Sequence, residues 1–125
     1  MESTNKITNK GNILKVSLDL YMFWEDGCCI AYSPALDMSG YGMTEKEAKE
    51  SFSVVLEEYI SYGLSKHTLI KDLREHGWKV RSFKQRKMSA PTFESLLRSN
   101  DTFRDILENK EYRKVSEPFP ELACS

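Results

Sequence analysis

The alternation of apolar and polar residues from Leu14 onward predicts a long β-strand. The apolar even positions are Leu14, Val16, Leu18, Leu20, Met22 and Trp24. A period of two places these side chains in one row on a buried face. Tyr21 and Phe23 interrupt the polar row, so the other face of the strand is expected to be covered by a second layer or by a partner. Residues 1–12 show no such period and are predicted to be flexible.

A hairpin is predicted directly after this strand. Asp26 and Gly27 tolerate the positive φ that a tight turn requires. The return strand is expected over Cys28–Ser33. Pro34 follows it and has no amide donor, so it marks the end of the strand or an edge of the sheet.

A third strand and a long helix complete the first half of the chain. The strand is expected over residues 36–41, where Gly40 and Gly42 permit a bulge or the close approach of another backbone. Thr44 and Glu47 form a capping box that starts the helix. The helix carries an apolar stripe at helical spacing: Ala48, Phe52, Val55, Leu56 and Tyr59.

Further elements are predicted from the middle of the chain onward. Gly63 is expected to end the long helix as a left-handed cap. A second helix is predicted over residues 66–76, followed by a strand through Trp78 and Val80 and by a basic connector over residues 84–87. The segments FESLLRS and TFRDILEN predict two short helices, and the end of the chain is expected to be extended.

This order of elements predicts an α+β fold. The main unit, residues 13–87, is expected to form a small antiparallel or mixed sheet in the order β-β-β-α-α-β, with helices packed on a face. Residues 88–125 are predicted to form a mostly helical and extended C-terminal tail. Within the tail, residues 99–101 are expected to break and cap the two short helices.

Charge and composition restrict the possible partners and location. The chain has 125 residues and a net charge of −1, so no overall field attracts it to nucleic acid or to an anionic membrane. The polar N-terminus lacks the apolar run of a signal peptide, and no apolar stretch reaches the length of a membrane span. Cys28, Cys29 and Cys124 form no disulfide or metal pattern. We therefore expect a cytoplasmic protein with reduced cysteines.

Residues with catalytic chemistry do not form a convergent set. His67 and His76 are expected on opposite faces of the second helix, where they cannot bind one metal ion, and His76 is favoured as a cap. A three-stranded meander followed by a helix is shared with RNase H proteins, whose nuclease chemistry needs several carboxylates, but the first strand offers only Asp19. No phosphate-binding loop or nucleophile elbow occurs. The sequence therefore predicts no catalytic residue, no metal ligand and no cofactor.

A basic segment is the first candidate contact surface. Its cations are Lys79, Arg81, Lys84, Arg86 and Lys87. The neighbouring aromatic residues Trp78 and Phe83 favour contact with nucleic acid. The alternative is a solvated strand edge whose charges discourage pairing with other strands.

The apolar residues of the tail are the second candidate contact surface. The strongest candidates for contact with a protein partner are Phe103, Ile106, Leu107, Tyr112 and Phe119. They would bind as a helix in a groove or as an extended peptide. Alternatively, they pack on the second face of the sheet beside Tyr21 and Phe23.

The segment from Tyr32 to Leu56 resembles the HicB-like antitoxin family. In that family a Tyr-x-Pro-x-Leu turn, a short glycine-containing strand and a Thr-x-x-Glu-Ala helix start follow one another. The matching positions are Tyr32, Pro34, Leu36, Gly42, Thr44, Glu47 and Ala48. The resemblance covers roughly residues 13–83 and includes a later element at Leu73, Gly77, Trp78 and Val80.

The resemblance implies a partial RNase H-like fold without nuclease activity. It also implies a non-catalytic antitoxin that binds a small HicA-type ribonuclease toxin, blocks its catalytic histidine and assembles into homo-oligomers. Many members carry a C-terminal DNA-binding domain. The residues after Met88 are interrupted by three prolines and show no helix-turn-helix pattern, so the sequence departs from the family here and leaves binding of operator DNA an open question.

Overall fold

A four-stranded antiparallel sheet with helices on both faces is the centre of the fold. The structure, a computed structural model, describes residues 8–10, 13–15, 17–85 and 87–119. The strands in these ranges are β1 (Thr8–Lys10), β2 (Ile13–Lys15), β3 (Ser17–Glu25), β4 (Cys28–Ser33), β5 (Met38–Gly42), β6 (Lys79–Ser82), β7 (Lys87–Ser89) and β8 (Arg113–Pro118). The helices are α1 (Glu45–Lys66), α2 (Leu69–Glu75), α3 (Phe93–Ser99) and α4 (Asp101–Asn109). The α+β class predicted from the sequence is confirmed.

The C-terminal segment contributes an edge strand to this sheet. The strand order is β5-β4-β3-β8. β8 runs antiparallel to β3, with Leu20 opposite Val115 and no irregularity in the register. The extended conformation predicted for the end of the chain is confirmed over β8, whereas its pairing with β3 was not predicted.

The strand predicted after the second helix does not join the main sheet. β6 pairs with β7 in a separate hairpin, with Val80 opposite Met88. Within the connector predicted over residues 84–87, residues 84 and 85 lie in the hairpin turn, Arg86 lies outside the described residues, and Lys87 already begins β7. Val80, Phe83 and Met88 are buried in the core, whereas Arg81, Lys84 and Lys87 are exposed.

The face of the sheet that packs against α1, here called the first face, carries the main core. Leu18, Leu20 and Met22 of the predicted apolar row are buried there. α1 covers them with Ala48, Phe52, Leu56 and Ile60. At the start of the row, Leu14 belongs to β2, which pairs with β1, and Val16 lies outside the described residues. At its other end the row is shorter than predicted, because Trp24 lies at the hairpin end of β3 with 52% of its surface exposed.

The opposite or second face is covered by the tail. Tyr21 and Phe23 project from it, as the interrupted polar row predicted. Against them α3 places Leu96, and α4 places Phe103 and Ile106. The ring centroids of Tyr21 and Phe103 lie 5.0 Å apart in an edge-to-face arrangement. The described part of the tail is therefore packed on the sheet.

The first helix ends later than predicted. It passes through Gly63 to Lys66, and His67 closes it in a left-handed conformation, with its amide facing the carbonyls of Gly63 and Leu64. Gly63 instead permits close packing, because a Cβ there would lie 2.8 Å from the Cβ of Leu69. The prediction of Gly63 as the cap is wrong. The left-handed turn at His67 also explains why α2 begins at Leu69 rather than at residue 66.

Candidate interaction surfaces

The turn between β4 and β5 positions the first residues of the motif, by which we mean the positions that match the HicB-like family. β5 begins at Met38 rather than at residue 36, because residues 34–37 form a turn in which Asp37 adopts a φ of 56°. The hydroxyl of Tyr32 donates to Oδ1 of Asp37 at 2.6 Å. Burial raises the pKa of Tyr32, and the hydrogen bond to Asp37 raises it further. The phenol is therefore neutral and holds the turn.

Asn100 joins this turn to the tail. Its Nδ2 donates to the Tyr32 hydroxyl at 2.9 Å and to the carbonyl oxygen of Pro34 at 3.3 Å. Its Oδ1 accepts from the amide of Phe103 at 2.9 Å and thereby caps α4. The predicted break and cap at residues 99–101 is confirmed, and one side chain serves both the cap and the turn.

The glycines and the cap at Thr44 fix α1 against β5. A Cβ on Gly40 would lie 2.3 Å from a backbone nitrogen of α1, and a Cβ on Gly42 would lie 2.5 Å from the Cβ of Glu47. The predicted close backbone approach is confirmed. The amide of Glu47 donates to Oγ1 of Thr44 at 3.1 Å, and the Glu47 carboxylate accepts from the amide of Met43 at 2.8 Å. The predicted cap by Thr44 is confirmed, whereas Glu47 accepts from the amide of Met43 and not from the Thr44 amide that a capping box would use.

The later motif element packs against the same turn. Trp78 is buried, and its Nε1 donates to the carbonyl oxygen of Ala35 at 2.9 Å. Leu73 and Val80 lie in the same core, and Gly77 ends α2 with a φ of 94°. Turn geometry, capping and packing therefore account for both parts of the motif.

A cleft of about 500 Å³ opens beside the turn, between the end of α2 and the start of α4. Its lining includes Asp37, Glu75, His76 and Asp101. His76 is the C-cap residue of α2, as predicted, and its Nδ1 lies 2.9 Å from the carbonyl oxygen of Asp72. Among the residues that the structure describes, no group of three or more His, Cys, Asp or Glu side chains is arranged to hold a metal ion.

Two cysteines lie next to each other in β4 as free thiols. Burial raises the pKa of the Cys29 thiol, which disfavours the nucleophilic thiolate. The Sγ of Cys28 lies 3.6 Å from the carbonyl oxygen of Gly42. Cys124 lies outside the described residues.

The β6–β7 hairpin carries the candidate nucleic-acid contacts. Its exposed cations are Lys79, Arg81, Lys84 and Lys87. Arg86 lies outside the described residues. No acidic residue occurs between positions 79 and 89, so the hairpin is locally positive. Trp78 and Phe83 are only 3% and 4% exposed, so they cannot stack on bases and the contacts available are those to phosphates.

The five candidate partner contacts of the tail lie in different environments. Phe103 and Ile106 are buried on the second face, and Phe119 is buried in the core of the first face. Leu107 is partly buried, and Tyr112 is exposed. Packing on the sheet thus explains Phe103 and Ile106, which can reach a partner only if the helices leave the sheet. Leu107 and Tyr112 keep surface for a partner.

Three exposed aromatic side chains border the core of the second face. They are Tyr41, Phe93 and Tyr112, which we call the aromatic rim. The rings of Phe93 and Tyr112 contact Phe103 and Tyr21 at 5.6 and 5.4 Å between centroids. Tyr41 lies opposite Ile30, which packs against the same core. Of the three, only Tyr112 was among the strongest candidates for partner contact in the sequence. For Tyr41, the alternation of faces along β5 could have indicated that its side chain lies on the second face.

Comparison with protein-family models, with curated proteins and with solved structures gave no match. The fold itself defines the class of the protein as α+β, with a four-stranded antiparallel sheet between two sets of helices. In the described part of the chain, no helix combines the length and apolar character needed to cross a membrane.

Proposed function

We propose that this chain is a HicB-like antitoxin, a non-catalytic protein that binds and blocks a small HicA-type ribonuclease. The observation that carries the proposal is the segment from Tyr32 to Ala48. Its strand, turn, glycine strand and capped helix follow in the order that the resemblance implies. The antiparallel meander of β3, β4 and β5 followed by a long helix on one face also supports a partial RNase H-like fold.

The hydrogen bonds of the polar side chains support binding rather than catalysis. Tyr32 and Asn100 hold the motif turn, and His76 caps α2. The hydroxyl of Tyr59 donates to Oδ2 of Asp72 at 2.5 Å and links α1 to α2. These groups hold turns and helix ends in place, which is the task of a scaffold that presents a surface.

The aromatic rim is the surface that fits a protein partner best. Tyr and Phe side chains that are anchored on one side and exposed on the other supply large contact area at low conformational cost. Phe93 and Tyr112 have this form, since each ring is packed on a buried ring and remains 53% or 43% exposed. A toxin that docks on the second face would have its active site covered by the tail helices.

The test is co-expression of this chain with the product of the neighbouring reading frame, which the proposal requires to be a small ribonuclease. We expect the two proteins to copurify and RNA cleavage to stop at equal molar amounts. Phe93→Ala and Tyr112→Ala should each weaken the complex about tenfold or more. Tyr62→Ala is the matched control, because Tyr62 is 66% exposed on α1, which packs on the other face of the sheet.

Two results would contradict the proposal. In the first, the folded protein neither binds nor inhibits the neighbouring ribonuclease. In the second, the protein binds but Tyr62→Ala weakens the complex as strongly as Phe93→Ala, which would show that the aromatic rim is not the contact surface.

A second candidate function is nucleic-acid binding through the β6–β7 hairpin. The observation that favours it is the exposure of four cations on a hairpin without acidic residues. Phosphate contacts are strongest at low ionic strength, so a mobility shift should appear there and weaken in Lys79→Gln/Arg81→Gln. The control is Lys46→Gln/Lys66→Gln, which removes two exposed cations of α1. Absence of a shift at low salt would exclude this function.

A further inference from the structure

β8 is an edge strand. In the ranges that the structure describes, it pairs with β3 on one side and with no strand on the other. The opposite edge, β5, is different because α1 crosses it and the amide of Tyr41 donates to Oγ of Ser51 at 3.1 Å. The register between β8 and β3 is regular from Arg113 to Pro118. An open, regular edge is a template for pairing with a further strand.

Pro118 indicates which backbone groups of β8 point outward. Proline has no N–H, so it fits this ladder with its nitrogen directed away from β3. Backbone direction alternates along a strand. The amides of Lys114 and Ser116 therefore also point outward, whereas those of the residues between them face β3.

We propose that β8 pairs with β8 of a second copy of this chain, about a two-fold axis that passes through Val115. In this register Lys114 faces Ser116 of the second copy, and each such pair exchanges both backbone hydrogen bonds through the outward groups. Val115 meets Val115 of the second copy at the axis. Arg113 faces Glu117 of the second copy, and the symmetry repeats this pair. The two four-stranded sheets become one continuous sheet.

The other registers are less favourable. Directly opposite residues share a face of the sheet, so the axis must pass through a residue and not between two residues. An axis at Lys114 would place lysine opposite lysine. An axis at Ser116 would place Lys114 opposite Pro118, which has no amide to donate. Of these three, only the axis at Val115 gives both hydrogen bonds to the Lys114–Ser116 pairs and places opposite charges face to face; Pro118 then lies opposite Tyr112 of the second copy, which precedes β8.

The two charged groups are already held on the first face beside the edge. Arg113 pairs with Glu45, and this hydrogen bond holds the pKa of the Glu45 carboxyl below its usual range. Glu117 accepts from Oγ of Ser53 at 2.9 Å and lies 3.9 Å from Nζ of Lys49. The side chain of Arg113 is 62% exposed and that of Glu117 is 16% exposed, so Arg113 must reach the open side of Glu117 of the second copy while it keeps its bond to Glu45.

The first experiment measures the mass of the full chain over a wide range of concentrations by light scattering and sedimentation. We expect a reversible dimer with twice the monomer mass of 14.5 kDa. Ser116→Pro removes an outward amide without removing a bond to β3, and should weaken the dimer about tenfold or more. Ser116→Ala is the matched control and should dimerise normally. Circular dichroism establishes that each variant is folded.

The second experiment tests the register. Arg113→Glu and Glu117→Arg should each weaken the dimer, since symmetry makes two pairs repulsive at once, and the double variant should restore it. Val115→Cys should form a covalent dimer under mild oxidation, whereas Lys114→Cys and the parent chain with its own cysteines should not.

Three results would overturn the proposal. They are a monomer at the highest attainable concentration, a dimer that Ser116→Pro leaves unchanged, and cross-linking of Lys114→Cys as efficient as that of Val115→Cys. The proposal does not depend on toxin binding, because each of these measurements uses this chain alone.

Discussion

Gly40 is the position at which the fold has the least space for a side chain. A Cβ on residue 40 would lie 2.3 Å from the amide nitrogen of Phe52 and 2.6 Å from the carbonyl oxygen of Ala48. Both atoms belong to the backbone of α1, so no side-chain rotation relieves the collision. Gly40→Ala must therefore push α1 away from β5.

The size of this displacement sets the expected loss of stability. Ordinary contact begins near 3.4 Å, so α1 must move by about 1.1 Å at this point. A gap of that size removes roughly a quarter to a half of the dispersion attraction between facing atoms. Overpacking costs about 1–3 kcal/mol, and because the new Cβ meets backbone atoms that cannot rotate away, we expect Gly40→Ala to cost about 3 kcal/mol. The reduced entropy of the unfolded chain offsets only about 0.4–1 kcal/mol.

Urea unfolding followed by circular dichroism measures this loss directly. The control is Ser39→Ala, one residue earlier in β5, where the side chain projects from the second face; it should change the free energy of unfolding by less than about 0.5 kcal/mol. If Gly40→Ala lost less than about 1 kcal/mol, the close contact of β5 with α1 would be wrong. The conclusion that Gly40 and Gly42 are needed for the close approach of α1 would then be wrong too.

Three further predictions concern the tail and the buried tyrosines. Asn100→Ala removes the cap of α4 and its hydrogen bonds to the turn, and should cost about 1–2 kcal/mol in urea unfolding; the control Asn109→Ala, at the exposed end of α4, should cost far less. Phe103→Ala should cost about 3–5 kcal/mol because the ring is fully buried, and a loss below about 1 kcal/mol would mean that the tail does not hold on the sheet. Burial raises the pKa of Tyr21 to about 12 and raises that of Tyr59 as well. These pKa values are higher in the folded than in the unfolded protein, so the stabilisation that each protonated tyrosine gives the fold is complete below pH ~10 and falls above it by about 1.4 kcal/mol per pH unit for each tyrosine. Tyr59→Phe should make the free energy of unfolding fall less steeply above pH ~10. An unchanged slope would contradict the raised pKa of Tyr59.

Local chemistry made several elements predictable from the sequence. Asp26 and Gly27 take positive φ in the hairpin, Thr44 caps α1 and Asn100 caps α4. Each of these features is decided by residues within about four positions of one another. Gly63 shows where such rules fail, because a glycine near a helix end suits both a cap and a close contact, and only the packing of α2 distinguishes the two uses.

Long-range pairing was not predictable for a related reason. The polar segment of β8 carries the same local signals whether it lies in solvent or at the edge of a sheet, and its partner β3 is distant in sequence. The apolar row of β6 and β7 likewise does not reveal whether the hairpin joins the sheet. The apolar residues of the tail have the same pattern whether they cover their own sheet or a partner, so the exposure of Phe93 and the burial of Phe103 became known only from the structure.

The packing of the tail changes where a partner can bind. Because Phe103 and Ile106 are buried on the second face, the tail cannot act as a detachable peptide without opening a core. The two proposals therefore place partners on outer surfaces, the toxin on the aromatic rim and the second copy on the β8 edge. Phe93 belongs only to the rim and Ser116 only to the edge, so Phe93→Ala should weaken toxin binding without changing dimerisation, and Ser116→Pro should do the reverse. Tyr112 precedes β8 directly and is expected to affect both.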